Sequence, residues 1–548
     1  PVSDLNKKKS KKLKIISYAK FEGKIIRNIT IHTFDPFGFD INDTSKSPDN
    51  PWVKAGNKLH LKTLPFAIRN QLLFHTGDTL DELEIKESER ILRLSPYLKD
   101  VIIYPVKAGN DSVDIYIREI DLWTTIPRFS SAGNDTKIQL IEKDFFGTGH
   151  SFDNSIRIVP DNNNIYEGIY TVPNFKNTFI ATTLYYKADF DSLFYKGISI
   201  NRAFYSPLAK WAGGISFSNI TTSDTLFYTD VIKTIPDIKY NQYDVWAGKS
   251  WQLFKGYTDV SRVTNLILTA RYLNTDFLSN PLTGKDTLGS ISDEQFFFTG
   301  LGVSQRIYIK DTYIFEFGLP EDVPTGQVIS FTVGKQNKSF VNRTYWGMRI
   351  GWGNYLSHSG YLSANADYGI FKNSSNIEQG VFSADIVYFT NLLEIGKWKL
   401  RQFIKPTLTL GINRFPIDAL TINEQDGIPG FNSNILYGTK RLVFSTQTQL
   451  YAPFSLIGFR FGPFLNLTGA LISPDNVSLF QSRLYSAIGF GILIRNELLV
   501  LNTFQVSIAF YPSIPGLSNN LLKLNSIKSS DFQFRDFDLE RPGIVTFQ

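Results

Sequence analysis

Residues 504–510 read Phe504-Gln505-Val506-Ser507-Ile508-Ala509-Phe510, with every second residue large and apolar and the ones between small or polar. An extended chain points successive side chains to opposite faces, so this stretch is a strand with one greasy and one wet side. The same period returns at Leu266, Leu268, Ala270 and Tyr272, with Thr269 and Arg271 opposite. It returns again in residues 400–413, where Ile404, Leu408, Leu410 and Ile412 oppose Arg401, Lys405, Thr407 and Thr409. From residue 136 to the last, segment after segment is written this way, separated by turns rich in Asp, Asn, Gly and Pro such as residues 160–164 and 320–324.

Composition narrows what such a chain can be. It has 548 residues, 45 Phe, 26 Tyr and 39 Gly, yet only 42% are hydrophobic. A helical membrane protein would be greasier, whereas a membrane barrel is not, because its lumen-facing half is polar. Aromatics gather at the two membrane interfaces of such barrels. Residues 498–522 carry no formal charge, but their interior alternates and holds Pro512 and Pro515, so they read as strand and loop rather than a spanning helix. There is no cysteine, which excludes disulfides, thiol catalysis and thiolate metal sites. The net charge of +6 is concentrated in a lysine cluster at residues 7–14, so nucleic acid is not an expected partner. No secretory signal is visible at Pro1, and an exported protein with this start would be a processed form.

Before the alternation begins, the pattern differs. Residues 1–20 look like a flexible basic lead. Residues 24–33 (KIIRNITIHT) form a strand, and a polar loop follows around 42–57. Residues 61–74 carry helical spacing through Leu64, Ile68, Leu72 and Leu73. A second helix over 81–94 buries Leu83, Ile91, Leu92 and Leu94, and Pro96 stops it. Strands at 101–106 and 112–120 are joined by the turn at 108–111. The reading is therefore one small α+β domain (residues 21–126) followed by a mostly β region (127–548), a transmembrane antiparallel β-barrel of about 16 strands with a long loop at 416–439.

These pieces resemble a known family. The β-α-α-β-β unit is similar to a POTRA domain, through Gly77-Asp78-Thr79-Leu80 and Glu87-Ser88-Glu89-Arg90. The turn Asp144-Phe145-Phe146-Gly147-Thr148-Gly149-His150 is similar to the N-x-x-G-x-G-H turn after the first barrel strand of the BamA/TamA superfamily of outer-membrane assembly factors and two-partner secretion transporters. Gly438, Leu442 and Pro453, then Gly489-Phe490-Gly491-Ile492 and Arg495-Asn496, match later strands. The family's loop motif, (V/I)-R-G-(F/Y), is here Ile428-Pro429-Gly430-Phe431, without the arginine. Its acidic and basic lumen partners stand as Gln447, Gln449 and Asn466. Removing one member of a buried ion pair costs roughly 3–5 kcal/mol, whereas removing all members together is close to neutral. The expectation is a loop still folded into the lumen and held by neutral contacts to those three side chains.

What the resemblance implies is a protein of the bacterial outer membrane with its POTRA-like domain in the periplasm. It would assemble, insert or translocate proteins, capturing client strands at the edge 101–106 or 24–33 and at a barrel seam. That seam is expected between a first strand over about 136–145, with Phe145 and Gly147 at its end, and a last strand at 539–548 holding Pro542, Gly543 and Phe547. The partners would be the lipid bilayer, unfolded barrel or secreted clients, and other outer-membrane or lipoprotein subunits. The alternative is a non-insertase accessory or structural barrel in a larger complex, or a passive pore. The five histidines, His32, His60, His75, His150 and His358, form no catalytic or metal pattern, so neither an enzyme nor a cofactor is expected.

Overall fold

The computed structural model describes residues 17–43, 45–48, 50–132, 135–158, 164–188, 194–228, 231–279, 291–338, 341–416, 418–424, 427–456, 459–496, 503–516, 521–527 and 532–548. The greater part of the basic lead and the turn at 160–163 lie outside them. Two compact units are present, Pro1–Phe190 with Tyr195–Arg202 and Glu497–Leu501, and Asp191–Phe194 with Ala203–Asn496 and Asn502–Gln548.

The first unit opens with a three-stranded sheet in the order β1-β3-β2, formed by β1 (Ile25–Phe34), β2 (Leu98–Lys107) and β3 (Ser112–Asp121). β1 runs parallel to β3, and β2 antiparallel to it. Between β1 and β2 lie α1 (Pro51–Leu59), α2 (Pro65–Arg69) and α3 (Glu82–Arg93). α3 starts where expected, because the Asp81 side chain accepts from the amides of Leu83 and Glu84. It buries Leu83, Ile85 and Leu92, while Leu94, expected inside, is the C-cap and is 63% exposed. The helix expected over 61–74 shrinks to α2, because Pro65 drives Leu64 into extended backbone at ψ 140°. α1 lies in what reads as a polar loop. Asn50 caps it, Pro51 opens it, and none of its residues is buried, so no apolar stripe announces it. Antiparallel strands from Thr125–Ala132 to Ala181–Ala188 belong to a separate sheet.

In the second unit, antiparallel strands follow one another from Trp211–Tyr228 to the short Leu522–Leu524. Their faces sort by parity. In Glu294–Thr312, Phe296, Phe298, Ser304 and Arg306 are buried, while Phe297 and Leu301 are about half exposed. Phe504, Val506, Ile508 and Phe510 face outward and Ser507 and Ala509 inward, as the opening stretch requires. An apolar outer face of this kind is what a bilayer demands of a barrel. The architecture is an antiparallel β-barrel of 22 strand segments among the described residues, more than the about 16 expected. Two of them, Leu393–Ile395 and Ser455–Leu456, are short hairpin ends. Among the described residues, no helix is long and apolar enough to cross a membrane.

Residues 539–548, expected as the closing strand, are in no strand. The last strand of the sheet is Leu522–Leu524, which pairs with Ile508, Ala509 and Phe510. Alternation tells that residues 532–548 are extended; their hydrogen bonds go instead to side chains on the sheet's inner face.

Candidate functional site

The inner face of the second unit holds two segments of the chain. The first is the long loop. Ile428 and Phe431 are fully buried, in one apolar cluster with Phe464, Tyr485 and Tyr511. The loop tightens around its own backbone, with the Ile428 amide donating to Ile422 and the Phe431 amide to Ile428. Gly430 has φ +74°, and a β-carbon there would collide with Ser526 and the Tyr511 hydroxyl, so no other residue fits. Tyr511 Oη donates to the Pro429 carbonyl at 2.6 Å, and Lys523 Nζ to the Gly430 carbonyl at 2.7 Å. A lysine from the wall thus reaches the backbone of the loop tip.

Gln447, Gln449 and Asn466 are all buried on the same face. They do not hold the loop tip. Gln447 Nε2 donates to Gln449 Oε1 at 3.4 Å, Asn466 Nδ2 to Gln447 Oε1 at 3.3 Å, and Gln449 Nε2 to the Leu450 carbonyl at 2.9 Å. Neutral amides have both donors and acceptors, so they satisfy one another along the wall. Tyr511, Lys523 and Ser526, which do contact the tip, carried no sequence signal beyond their place after the strand at 503–510.

The second occupant is the segment 532–548. Arg349 donates to the Asp536 and Asp538 carbonyls at 2.6 and 3.2 Å, Ser304 Oγ to Phe537 at 2.6 Å, and Arg271 Nη1 to Pro542 at 3.1 Å. Tyr345 Oη accepts from the Val545 amide at 2.8 Å. Its side chains are matched too. Arg535 meets Asp367 and Asp385 at 2.6 and 3.2 Å, and Arg541 meets Asp244 at 2.7 Å. Phe532 is buried among Tyr361, Phe389 and Phe403. Pro542, Gly543 and Phe547 therefore belong to the lumen rather than to a seam; Phe547 lies under the Arg414 guanidinium at 4.0 Å.

In the first unit, Phe145 and Gly147 form a tight 3-10 turn after Asp135–Glu142, and they too are not in a strand. The turn packs on the loop before α2. The Leu64 amide donates to the Gly147 carbonyl at 2.8 Å, and a β-carbon on Gly147 would strike the Lys62 carbonyl. Beneath it, the Thr63 hydroxyl lies 2.6 Å from Asp121 Oδ1 and 2.8 Å from Asp144 Oδ2. A hydroxyl has one proton to give and here stands between two carboxyls. Burial raises both Asp121 and Asp144 above the usual carboxylate range. Glu119, fully buried nearby, is raised first by burial and then by the charge of Asp121. Burial lowers His60.

The two sheet edges expected to take client strands are partly taken already. On β2, the Tyr18 hydroxyl sits 2.7 Å from the Ile103 carbonyl and Glu89 accepts from the Ile103 amide at 3.5 Å. Pro105 has no N–H to offer. On β1, the Ile26 amide and carbonyl bond Asp78 and Gly77 at 2.9 and 2.8 Å. Such covering is how exposed edges are protected from pairing.

Comparison with protein-family models finds no match, and comparison with curated proteins finds none either. Among solved structures, the chain is similar to BamA from Haemophilus ducreyi lacking POTRA domains 1–3, at 11% identity over 92% of this chain and 83% of that one, with a TM-score of 0.31. It is also similar to CdiB from Acinetobacter baumannii (12% identity, 91% and 72% covered, TM-score 0.36) and CdiB from Escherichia coli (8%, 92% and 75%, TM-score 0.40). The barrel architecture rests on this chain's own strand pairing and face parity rather than on these scores.

Proposed function

We propose that this chain is an outer-membrane barrel that handles client polypeptide, inserting barrel proteins into the bilayer or moving secreted ones across it, with the POTRA-like domain on the periplasmic side. The observation that carries this reading is the edge of Thr503–Phe510. All eight of its residues pair with Tyr485–Asn496, while on the other side Ile508, Ala509 and Phe510 pair with the three-residue strand Leu522–Leu524. The Asn525 side chain and amide cover Ser507. A client strand that displaced this three-residue cover would gain backbone hydrogen bonds with little demand on its sequence. Its outward side chains would lie beside Phe504 and Val506, which are exposed.

Depleting the protein should reduce the amounts of other barrels, or of a secreted client, in the outer-membrane and extracellular proteomes. A photo-crosslinker at Val506 should trap nascent barrel strands. An unchanged proteome and no crosslinks would overturn the reading in favour of an accessory or structural barrel. The filled inner face is the observation that favours that second reading, and it speaks against a passive pore.

A further inference from the structure

The path taken by residues 532–548 is carved into the wall. Along it, the inner face carries glycine on four of the strands: Gly302, Gly353, Gly369 and Gly411. A β-carbon at Gly302 would strike Leu539. At Gly353 it would lie 2.6 Å from Phe537, at Gly369 3.1 Å from Val545, and at Gly411 3.0 Å from Phe547. These strands leave a groove, running across their direction, with the section of an extended peptide. The wall reads that peptide largely through its backbone, by way of Arg271, Ser304, Arg349 and Tyr345. Backbone readout of this kind does not depend on sequence, while Arg535, Arg541 and Phe532 supply fixed anchor points.

Several features distinguish an occupant from a piece of the wall. The segment pairs with no strand. Cavities of about 510 and 700 Å³ flank it, the first along residues 538–546, the second between it and the loop at 427–430. Two of the wall's charged groups keep a partner without it, while Arg349, Asp367 and Asp385 turn contacts toward the segment that another peptide could take over. Asp244 keeps Arg271 at 2.7 Å, and Arg306 keeps the Phe204 carbonyl at 2.8 Å. Emptying the groove would leave Arg271 and Arg306 partnered and expose the contacts of Arg349 and Asp367 to a competing peptide.

We infer that the inner face of the second unit is a binding channel for an extended polypeptide, with residues 532–548 as its resident and replaceable ligand. The chemical class is a peptide with an acidic and aromatic centre flanked by arginines. A segment of that kind from another polypeptide would compete for the same groove. This inference stands independently of the strand-edge reading. While tethered, the resident segment holds the site at a millimolar-scale effective concentration, so a competitor gains entry only once that tether is lost or outmatched.

The test uses the full chain with a protease site inserted between Ile527 and Phe532, folded and purified before cutting, so that folding never depends on a truncated chain. After cutting, a labelled synthetic peptide of residues 532–548 should exchange into the barrel with saturable anisotropy, and the uncut chain should not bind it. The same peptide carrying Arg535→Glu and Arg541→Glu should bind at least about tenfold more weakly, since it meets Asp244, Asp367 and Asp385 with the wrong sign. A cut segment that stays bound without exchange would overturn the inference. So would a vacated barrel that does not rebind the peptide, or equal binding of the charge-reversed one.

Discussion

Glu119→Gln should change how the stability of the first unit depends on pH. Glu119 is fully buried at the end of β3, with its carboxyl raised by burial and by Asp121. An unfolded glutamate titrates near about 4.3. Between that value and its raised folded value, the folded unit holds a proton that the unfolded chain has released. Stability then falls with rising pH by about 1.4 kcal/mol per unit. From pH 5.5 to 7.5, this one group should remove about 2.7 kcal/mol. Gln keeps the shape and cannot ionise, so the variant should lack that share of the slope. The two proteins should be of similar stability near pH 4.5 and diverge above it, the variant being the more stable. His60, which burial lowers, contributes with the opposite sign, its stabilisation being lost as pH falls through its unfolded value near about 6.5. It is present in both proteins and cancels in the difference. Hydrogen exchange at the amides of Ile115 and Ile117, followed in the full chain against urea and corrected for intrinsic rates, reads the opening free energy. Parallel pH profiles for the two proteins would refute the reasoning.

Three further outcomes are expected. Tyr511→Phe removes the donor to the Pro429 carbonyl, about 1 kcal/mol, so an Ile428→Cys probe in this cysteine-free chain should label roughly fivefold faster in that background; an unchanged rate would remove Tyr511 as the latch. Glu89→Ala leaves the buried Arg93 without its partner and uncovers Ile103. It should destabilise the first unit by roughly 3–5 kcal/mol and raise self-association in light scattering, and a monodisperse variant would show that the β2 edge needs no cover. Gly147→Ala, at φ +74° and against the Lys62 carbonyl, should cost about 1–3 kcal/mol in thermal unfolding; wild-type stability would mean the turn does not dock on that loop.

The sequence made the sheet legible because alternation is a local property: Phe504 to Phe510 sort by face whatever their neighbours do. α3 was legible for the same reason, through Asp81 and its apolar side. Pairing is not local, and there the reading failed. Residues 539–548 were read as a closing strand, yet an extended segment lying in a groove can look in sequence like one in a ladder. Nothing within those residues records which backbone groups have partners. The loop tip was placed by resemblance, but its holders were misjudged, because Gln447, Gln449 and Asn466 can satisfy one another as readily as they can satisfy a loop. α1, with no buried residue, had no stripe to read at all.

The salt bridge from Arg541 to Asp244 spans 297 positions of sequence. Contacts so distant are the slowest to form, since the entropy of closing the intervening chain must be met before they return anything. The groove they close does not exist until the strands bearing Gly302, Gly353, Gly369 and Gly411 have paired. Filling it is therefore among the last events of folding, and every molecule passes through a stage in which its wall is complete and its groove vacant. A polypeptide that meets the barrel during that interval competes with residues 532–548 before they are seated, on kinetic terms quite different from those it would face afterwards.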